Sequence, residues 1–332
     1  MNLVRIKIPT VAFVVVLFAV NAFIKINSDF GIDVERYKIV LENGISEWSV
    51  YYLKEFVSWG VLDFLSKFSP YLDVSQQLIL LDFLVLLLLI FGCRGGAFAG
   101  YRFILFYASF AFILLSFNVL RQYLSIAFLI IALVAAVHGW RWRFAISIIL
   151  AIASHNGTVL LVPSLLLVFF REFKPTTRVL LAIAGICLMV LMSTNESVGR
   201  AFEAGSEALE EPFWKVLLYA FLSVHMVVLF RMRHKDIVRY RSDLLEAESR
   251  AAYLNLSLLL FGVVISITPF PNWIISRNWL GIISLQAFLY LGFQGAEKYT
   301  YSSARRFFFF YFIPMSVLVF LHPGSRQMAF DM

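Results

Sequence analysis

Charge is scarce in this sequence. Only 15% of its 332 residues are Asp, Glu, Lys or Arg, while 61% are hydrophobic and 17% aromatic. An ordinary soluble domain carries about 25% charged residues. A globule this apolar could not cover its surface with polar groups, so the soluble-enzyme, nucleic-acid-binding and disordered classes are excluded. Cysteine is nearly absent too. Cys93 and Cys187 are the only two, which excludes a disulfide framework and a thiolate metal cluster. No His, Asp and Glu stand at metal-ligand spacing. A P-loop, a dinucleotide fingerprint and a serine-hydrolase elbow are missing as well, and Gly92-Cys93-Arg94-Gly95-Gly96 is glycine-rich without their spacing. No metal or cofactor is therefore expected.

What the chain does have is long apolar runs, with a mean hydropathy of +0.83. A membrane-crossing helix needs about 20 mostly apolar residues. Eleven runs qualify once flanking Gly, Ser and aromatic residues are included: Ile8–Ile24, Val74–Phe91, Phe103–Phe117, Gln122–Val137, Phe144–Ser154, Thr158–Phe170, Val179–Ser193, Phe213–Phe230, Ala251–Ile267, Trp279–Phe293 and Phe307–Leu321. Only Ser154-His155-Asn156-Gly157 separates the fifth from the sixth, which form either a hairpin or a re-entrant pair. The first run follows Arg5 and Lys7 and lacks a small-residue cleavage motif near Ala19–Ala22, so it reads as a retained anchor. The expected fold is an all-α, polytopic integral membrane protein, with residues 1–332 forming a single membrane domain.

The net charge of +7 then reports orientation. With the N-terminus cytoplasmic and the C-terminus outside, most of the 28 Lys and Arg fall on the cytoplasmic side and most of the 21 acids outside. Residues 231–250 read as a basic cytoplasmic loop near anionic lipid. Residues 25–73 form a long outer loop, with a turn at Asn43-Gly44. Within it, Leu53, Phe56, Val57, Gly60, Val61, Phe64, Leu65 and Phe68 recur at helical spacing. An amphipathic helix over about 50–68 is expected to lie on the outer surface or cap the bundle.

Some residues are not explained by topology. Arg121 and Arg277 each open a span on the outer face, against the charge bias, with no acid nearby in sequence. Each is either a snorkelling anchor or half of a site for an anionic group, because a guanidinium binds phosphate oxygens in a planar fork. His155, in the polar break, is either a satisfied turn residue or a base that works near neutral pH. Asp82 sits deep in the second span, as a proton or cation site or as a hydrogen-bond acceptor between helices. Outer acids Asp29, Asp33 and Glu35 are either a solvated loop or a source of a carboxylate for a site beneath it. Tyr123, Trp273 and Trp279 are expected at the outer rim, where aromatics anchor the interface or stack on sugars.

Taken in order, Asp33 to Tyr37 as Asp-x-x-x-Tyr, an aromatic amphipathic helix, Asn118 to Gln122 as Asn-x-x-Arg-Gln, the His break from Ser154 to Thr158 and the late Arg277 form a pattern. It resembles the EpsG-like, Wzy-type bacterial polysaccharide polymerases over roughly residues 25 to 300. Two places depart from that family's pattern. Ser125 stands where the family has a small Ala, and Asn156-Gly157-Thr158 follow the His where its pattern ends Ser-Ala. The resemblance implies a multi-pass glycosyltransferase of the bacterial inner membrane, with the fold of lipid-linked glycosyltransferases. Such an enzyme joins undecaprenyl-diphosphate-linked oligosaccharide repeat units on the outer leaflet, for exopolysaccharide, capsule or O-antigen, without a nucleotide sugar. Arg121 and Arg277 would hold the diphosphate, and His155 or Asp33 would be the general base. Gln122, Asn118, Tyr37 and Asp82 are further candidates. Membrane lipid, a chain-length regulator and other export-machinery proteins are the implied partners. The competing readings are a polysaccharide or lipid transporter or flippase, which favours deep polar residues and broken helices, and a glycan O-acyltransferase built around an intramembrane His.

Overall fold

The computed structural model describes residues 32–68, 71–93, 120–169, 213–240, 245–268, 270–292 and 305–313, together with positions 15, 18, 19, 22, 106, 107, 109, 112, 115 and 116. Every regular element among them is helical. In chain order these are α1 (Ile32–Asn43), α2 (Val50–Leu53), α3 (Phe56–Phe68), α4 (Val74–Gly92), α5 (Leu120–His138), α6 (Arg141–Ser154), a 3-10 turn (Asn156–Leu160), α7 (Val162–Phe169), α8 (Phe213–Tyr240), α9 (Leu245–Ile267), α10 (Asn272–Gly292) and a π turn (Phe308–Phe312).

Among the described residues, five helices are long and apolar enough to cross a membrane: Val74–Gly92, Leu120–His138, Phe213–Lys235, Glu248–Ile267 and Ile274–Leu291. They coincide with the expected second, fourth, eighth, ninth and tenth spans. The described residues are those of an all-helical membrane protein. The fifth expected span, α6, has 14 residues. At 1.5 Å per residue it reaches about 21 Å, short of a core of about 30 Å. The sixth is split into the 3-10 turn and α7. The seventh expected span, and most of the first, third and eleventh, lie outside the described residues.

Local signals explain the boundaries. Asp73 caps α4: its carboxylate accepts from Gln76 N at 2.8 Å, and Gln76 Oε1 accepts from Asp73 N at 3.2 Å. Gly44 and Gly139 have φ of +68° and +72°, so each supplies the left-handed turn that ends the helix before it.

The two central helices are α5 and α10. About nine-tenths of each spanning window is buried (89% and 94%), against 39–44% for α4, α8 and α9. Glycines permit the closest approaches. A Cβ on Gly92 would stand 2.3 Å from Ile131 Cδ1, and one on Gly262 would stand 2.5 Å from the Trp279 ring. Trp279 is therefore inside the bundle, where its Nε1 donates to Ser266 Oγ at 2.8 Å, and Tyr123 is fully buried. Neither lies on the rim where the sequence pattern put it. The side chain of Trp273 lies outside the described residues.

Contacts define two ends. At one, Arg143 donates to the Gly92 carbonyl, and Arg250 donates to Val137 O at 3.1 Å. At the other, Ser58 donates to Ser154 O at 2.8 Å and Gln122 to Arg277 O at 2.7 Å. The helices between alternate in direction.

Residues 231–250, expected as a solvated loop, are mostly helical: α8 runs on to Tyr240 and α9 begins at Leu245. Within this stretch Arg233 and Glu248 form a buried ion pair at 2.7 Å. Arg233 also donates to the Tyr290 carbonyl and lies over the Phe230 and Tyr290 rings at 5.2 and 5.6 Å. That clamp ties the α8–α9 hairpin to α10. Removing one partner of a buried pair strands a charge, typically at a cost of about 3–5 kcal/mol. Arg233→Met is therefore expected to lower the thermal midpoint in detergent sharply, and Arg233→Met with Glu248→Leu to recover most of it. Equal stability of wild type and the single variant would remove the clamp from the fold.

Candidate functional site

The site is assembled where α2 meets α3. The helix expected over 50–68 is broken at Lys54-Glu55. Its buried face is also not the expected one. Ser58, Trp59, Leu62, Asp63 and Leu65 point inward, whereas Leu53, Phe56, Phe64 and Phe68 are exposed. Glu55, Ser58, Trp59, Leu62 and Leu65 share one helical face, and this second stripe packs toward α1 and α6. Asp63 anchors α3 to the preceding turn by accepting from Ile45 N at 2.7 Å.

Glu55 is the centre. One carboxylate oxygen, Oε1, lies 2.8 Å from His155 Nδ1 and accepts from Asn156 N at 2.9 Å. The other, Oε2, accepts from Arg121 Nη1. Arg121 Nε in turn donates to the Tyr37 hydroxyl at 3.2 Å. The guanidinium lies 5.1 Å from the Trp59 ring centroid and 5.9 Å from that of Tyr37, so aromatic faces and hydrogen bonds together fix its plane. Arg121 and His155 keep 21% and 20% of their side-chain surface exposed, against 7% for Glu55. The anion is covered, and the two groups suited to chemistry reach the edge.

Burial disfavours the charged form of Glu55. The His155 hydrogen bond and charge, the Arg121 guanidinium and the Asn156 N–H outweigh it and hold the carboxyl at about 2, below its ordinary 4.5. Glu55 is thus an anion throughout the physiological range.

Neighbouring residues set the frame. Ser58 ties α3 to the last carbonyl of α6. Ser125 donates to Ala151 O at 2.8 Å, and its hydroxyl is 2.5 Å from that of Thr158. The Ser at 125 and the Thr at 158, one from each departure from the family pattern, meet in one contact. It pins the His turn against α5. Gln122 Nε2 holds the Arg277 carbonyl at 2.7 Å, while its Oε1 is buried with no donor among the described residues.

Of the residues singled out in sequence, Tyr37, Arg121, Gln122 and His155 come together, and Arg277 joins through its backbone. Asp33 stands one turn before Tyr37 on α1, with its side chain outside the described residues, and Asn118 lies outside them entirely. Asp82 is fully buried in α4 beside the Tyr107 and Tyr123 hydroxyls. Two positions along α5, roughly 200° round the helix, separate Tyr123 from Arg121, so Asp82 belongs to a different neighbourhood. Among the described residues no group of three His, Cys, Asp or Glu could hold a metal. Glu55 was missed: in sequence it is one of several charges spaced between apolar positions, and its partners lie 66 and 100 residues away. The one available signal was its register with Ser58, Trp59 and Leu62.

No protein-family model matches the chain, and no curated protein or solved structure matches it.

The depressed value for Glu55 makes a pH prediction. A carboxylate with a lowered folded-state pKa stabilises fully above its unfolded value and loses that contribution as pH falls through the folded one. A shift from 4.5 to about 2 corresponds to on the order of 3 kcal/mol. The gap in thermal midpoint between wild type and Glu55→Gln is expected to stay constant above about pH 5 and to narrow down to about pH 2. A gap that does not change across this interval would show that the charge on Glu55 stabilises nothing.

Proposed function

We propose that the chain is a polysaccharide polymerase of the Wzy type, a glycosyltransferase that joins undecaprenyl-diphosphate-linked repeat units on the outer leaflet of a bacterial inner membrane. The observation that carries this reading is the convergence of Tyr37, Arg121, Gln122 and His155, from three distant segments, at one end of the bundle. Arg121 and His155 are among the residues to which the sequence resemblance gave roles, and Tyr37 and Gln122 are among its further candidates. The proposed orientation puts that end outside, with a cytoplasmic N-terminus and an outer C-terminus. A chain-length regulator and other export proteins are the proposed partners.

The chemistry follows from the residue types. A polyprenyl diphosphate is an anion at the membrane boundary, and Arg121 stands in the first turn of α5 and Arg277 in the second turn of the neighbouring α10. An acceptor sugar hydroxyl attacks the anomeric carbon of the donor chain, and the bond from that carbon to the diphosphate oxygen breaks. His155 takes the hydroxyl proton, while the guanidinium groups stabilise the charge that grows on the departing diphosphate. Asp33 is the second candidate for the base. The Tyr37 and Trp59 rings, in contact at 5.7 Å, give the site an aromatic wall. One feature favours a lipid-linked glycan flippase instead: the intramembrane acid Asp82.

Reconstitution separates the two. Wild-type protein in liposomes, given only the lipid-diphosphate-linked repeat unit, is expected to lengthen the glycan. Unextended glycan that crosses the bilayer would reverse the assignment. Arg121→Lys keeps the charge that Glu55 needs but loses the planar fork. It is expected to remain folded and to lose polymer by about 10-fold or more, on the scale of one lost charge-assisted contact. Arg277→Ala is expected to abolish polymer, and full-length product from both variants would remove the diphosphate role.

A further inference from the structure

We infer that Glu55 is a positioning residue that puts the ring hydrogen of neutral His155 on Nδ1 and so leaves the lone pair on Nε2, with Gly157 keeping that nitrogen accessible. The inference rests on the proposed transferase reading for its consequence, but not for the tautomer itself.

An ionised carboxylate only accepts hydrogen bonds. The hydrogen in the 2.8 Å contact between His155 Nδ1 and Glu55 Oε1 therefore belongs to the imidazole. A neutral imidazole has one N–H, so Nε2 must then be the acceptor. The carboxylate cannot swing to offer a different geometry. Oε1 is also held by Asn156 N, Oε2 by Arg121, and the helix behind it by the Ser58 to Ser154 bond. Among the described residues nothing hydrogen-bonds Nε2, and the side chain keeps 20% of its surface exposed.

Gly157 completes the arrangement. A Cβ added there would lie 2.8 Å from His155 Nε2 and 3.4 Å from its Cδ2. Any side chain at 157 meets the nitrogen that has to receive the proton. The ring cannot turn away without breaking its bond to Glu55. Hydrogen is the only substituent that leaves both the bond and the open edge in place.

Arg121 shares the carboxylate, so one residue sets both the proton acceptor and the cation beside it. The balance of the step is simple. The acceptor O–H proton moves to Nε2, the ring becomes an imidazolium, and its second N–H already faces an anion. The bond to Glu55 strengthens as charge develops, which is what lowers a barrier rather than a ground state.

Solid-state NMR on bilayer-embedded protein with 15N-labelled histidine reads the tautomer without substrate, with His155→Gln used to assign the signal. In wild type the neutral ring is expected to carry its hydrogen on Nδ1, and in Glu55→Gln to move toward Nε2. A wild-type ring protonated on Nε2 overturns the inference whatever the activity. In the polymerisation assay, Glu55→Gln is expected to lower kcat about 100-fold or more with little change in KM. Glu55→Asp should recover part of that loss. Gly157→Ala should reduce kcat at least 10-fold, with a thermal midpoint no lower than that of Glu55→Gln, because it disturbs one of the several bonds to that carboxylate. Full kcat in both Glu55→Gln and Gly157→Ala also overturns it. If wild type shows the Nδ1 tautomer but makes no polymer, the transferase reading fails and the tautomer assignment stands.

Discussion

One buried carboxylate organises the end of this molecule that carries its polar chemistry. Glu55 receives hydrogen bonds from Arg121 on α5 and from His155 and Asn156 after α6. It thereby welds the α2–α3 break to two helices that are remote in sequence. A charge in this setting is tolerable only when fully partnered, since an isolated carboxylate out of water is prohibitively unstable. The same requirement explains why α3 turns its second stripe inward. Rotating it to bury Phe56, Phe64 and Phe68 would swing Glu55 and Ser58 away from partners that nothing else can replace. The exposed phenylalanines are a smaller penalty than an unpaired anion and an unpaired guanidinium would be.

The opposite end is built on the same rule and to a different purpose. Arg233 and Glu248 are both almost fully buried, and their pair is roofed by Phe230 and Tyr290. Neither partner of that pair keeps more than 5% of its side-chain surface open, against about a fifth for Arg121 and His155. One ion pair locks a hairpin onto α10, whereas the other holds two groups at an edge. Gln122 and Ser125 cross-link neighbouring elements at the Arg121 end; farther along α10, Gln286 donates to Asn255 O on α9 at 3.3 Å, while Ser284 bonds back to its own helix at Leu280 O.

Hydropathy revealed the spans because a membrane helix is a local property. Twenty apolar residues identify themselves without reference to the rest of the chain. The positions of Arg121 and His155 were also legible, because a charge at a span boundary and a polar break between spans violate that local rule. Glu55 violates nothing locally. It lies in an amphipathic segment where a Glu is ordinary, and only its tertiary partners distinguish it. The two faces of α3 are ambiguous for a related reason. Both the Phe56–Phe64–Phe68 stripe and the Trp59–Leu62–Leu65 stripe have helical period, and periodicity cannot say which one faces protein. In the basic stretch after Phe230 sequence alone does not distinguish a solvated Arg from a buried one, because a long side chain with a paired head can run through a core, as Arg233 does.

The pairing of Arg121 with Glu55 also changes what the cationic site can be. An arginine neutralised in the resting state is a weaker lure for an anion than a bare one. In the proposed reaction a further positive charge then develops transiently on His155. On the proposed reaction this timing is useful. His155 gains its charge when the acceptor loses its proton, which is when the diphosphate oxygen becomes most negative. A full positive field before that moment would bind ground state and transition state alike and leave the barrier unchanged. Glu55 cancels part of that standing field and fixes the geometry in which the new charge appears, which places the electrostatic gain in the step that needs it.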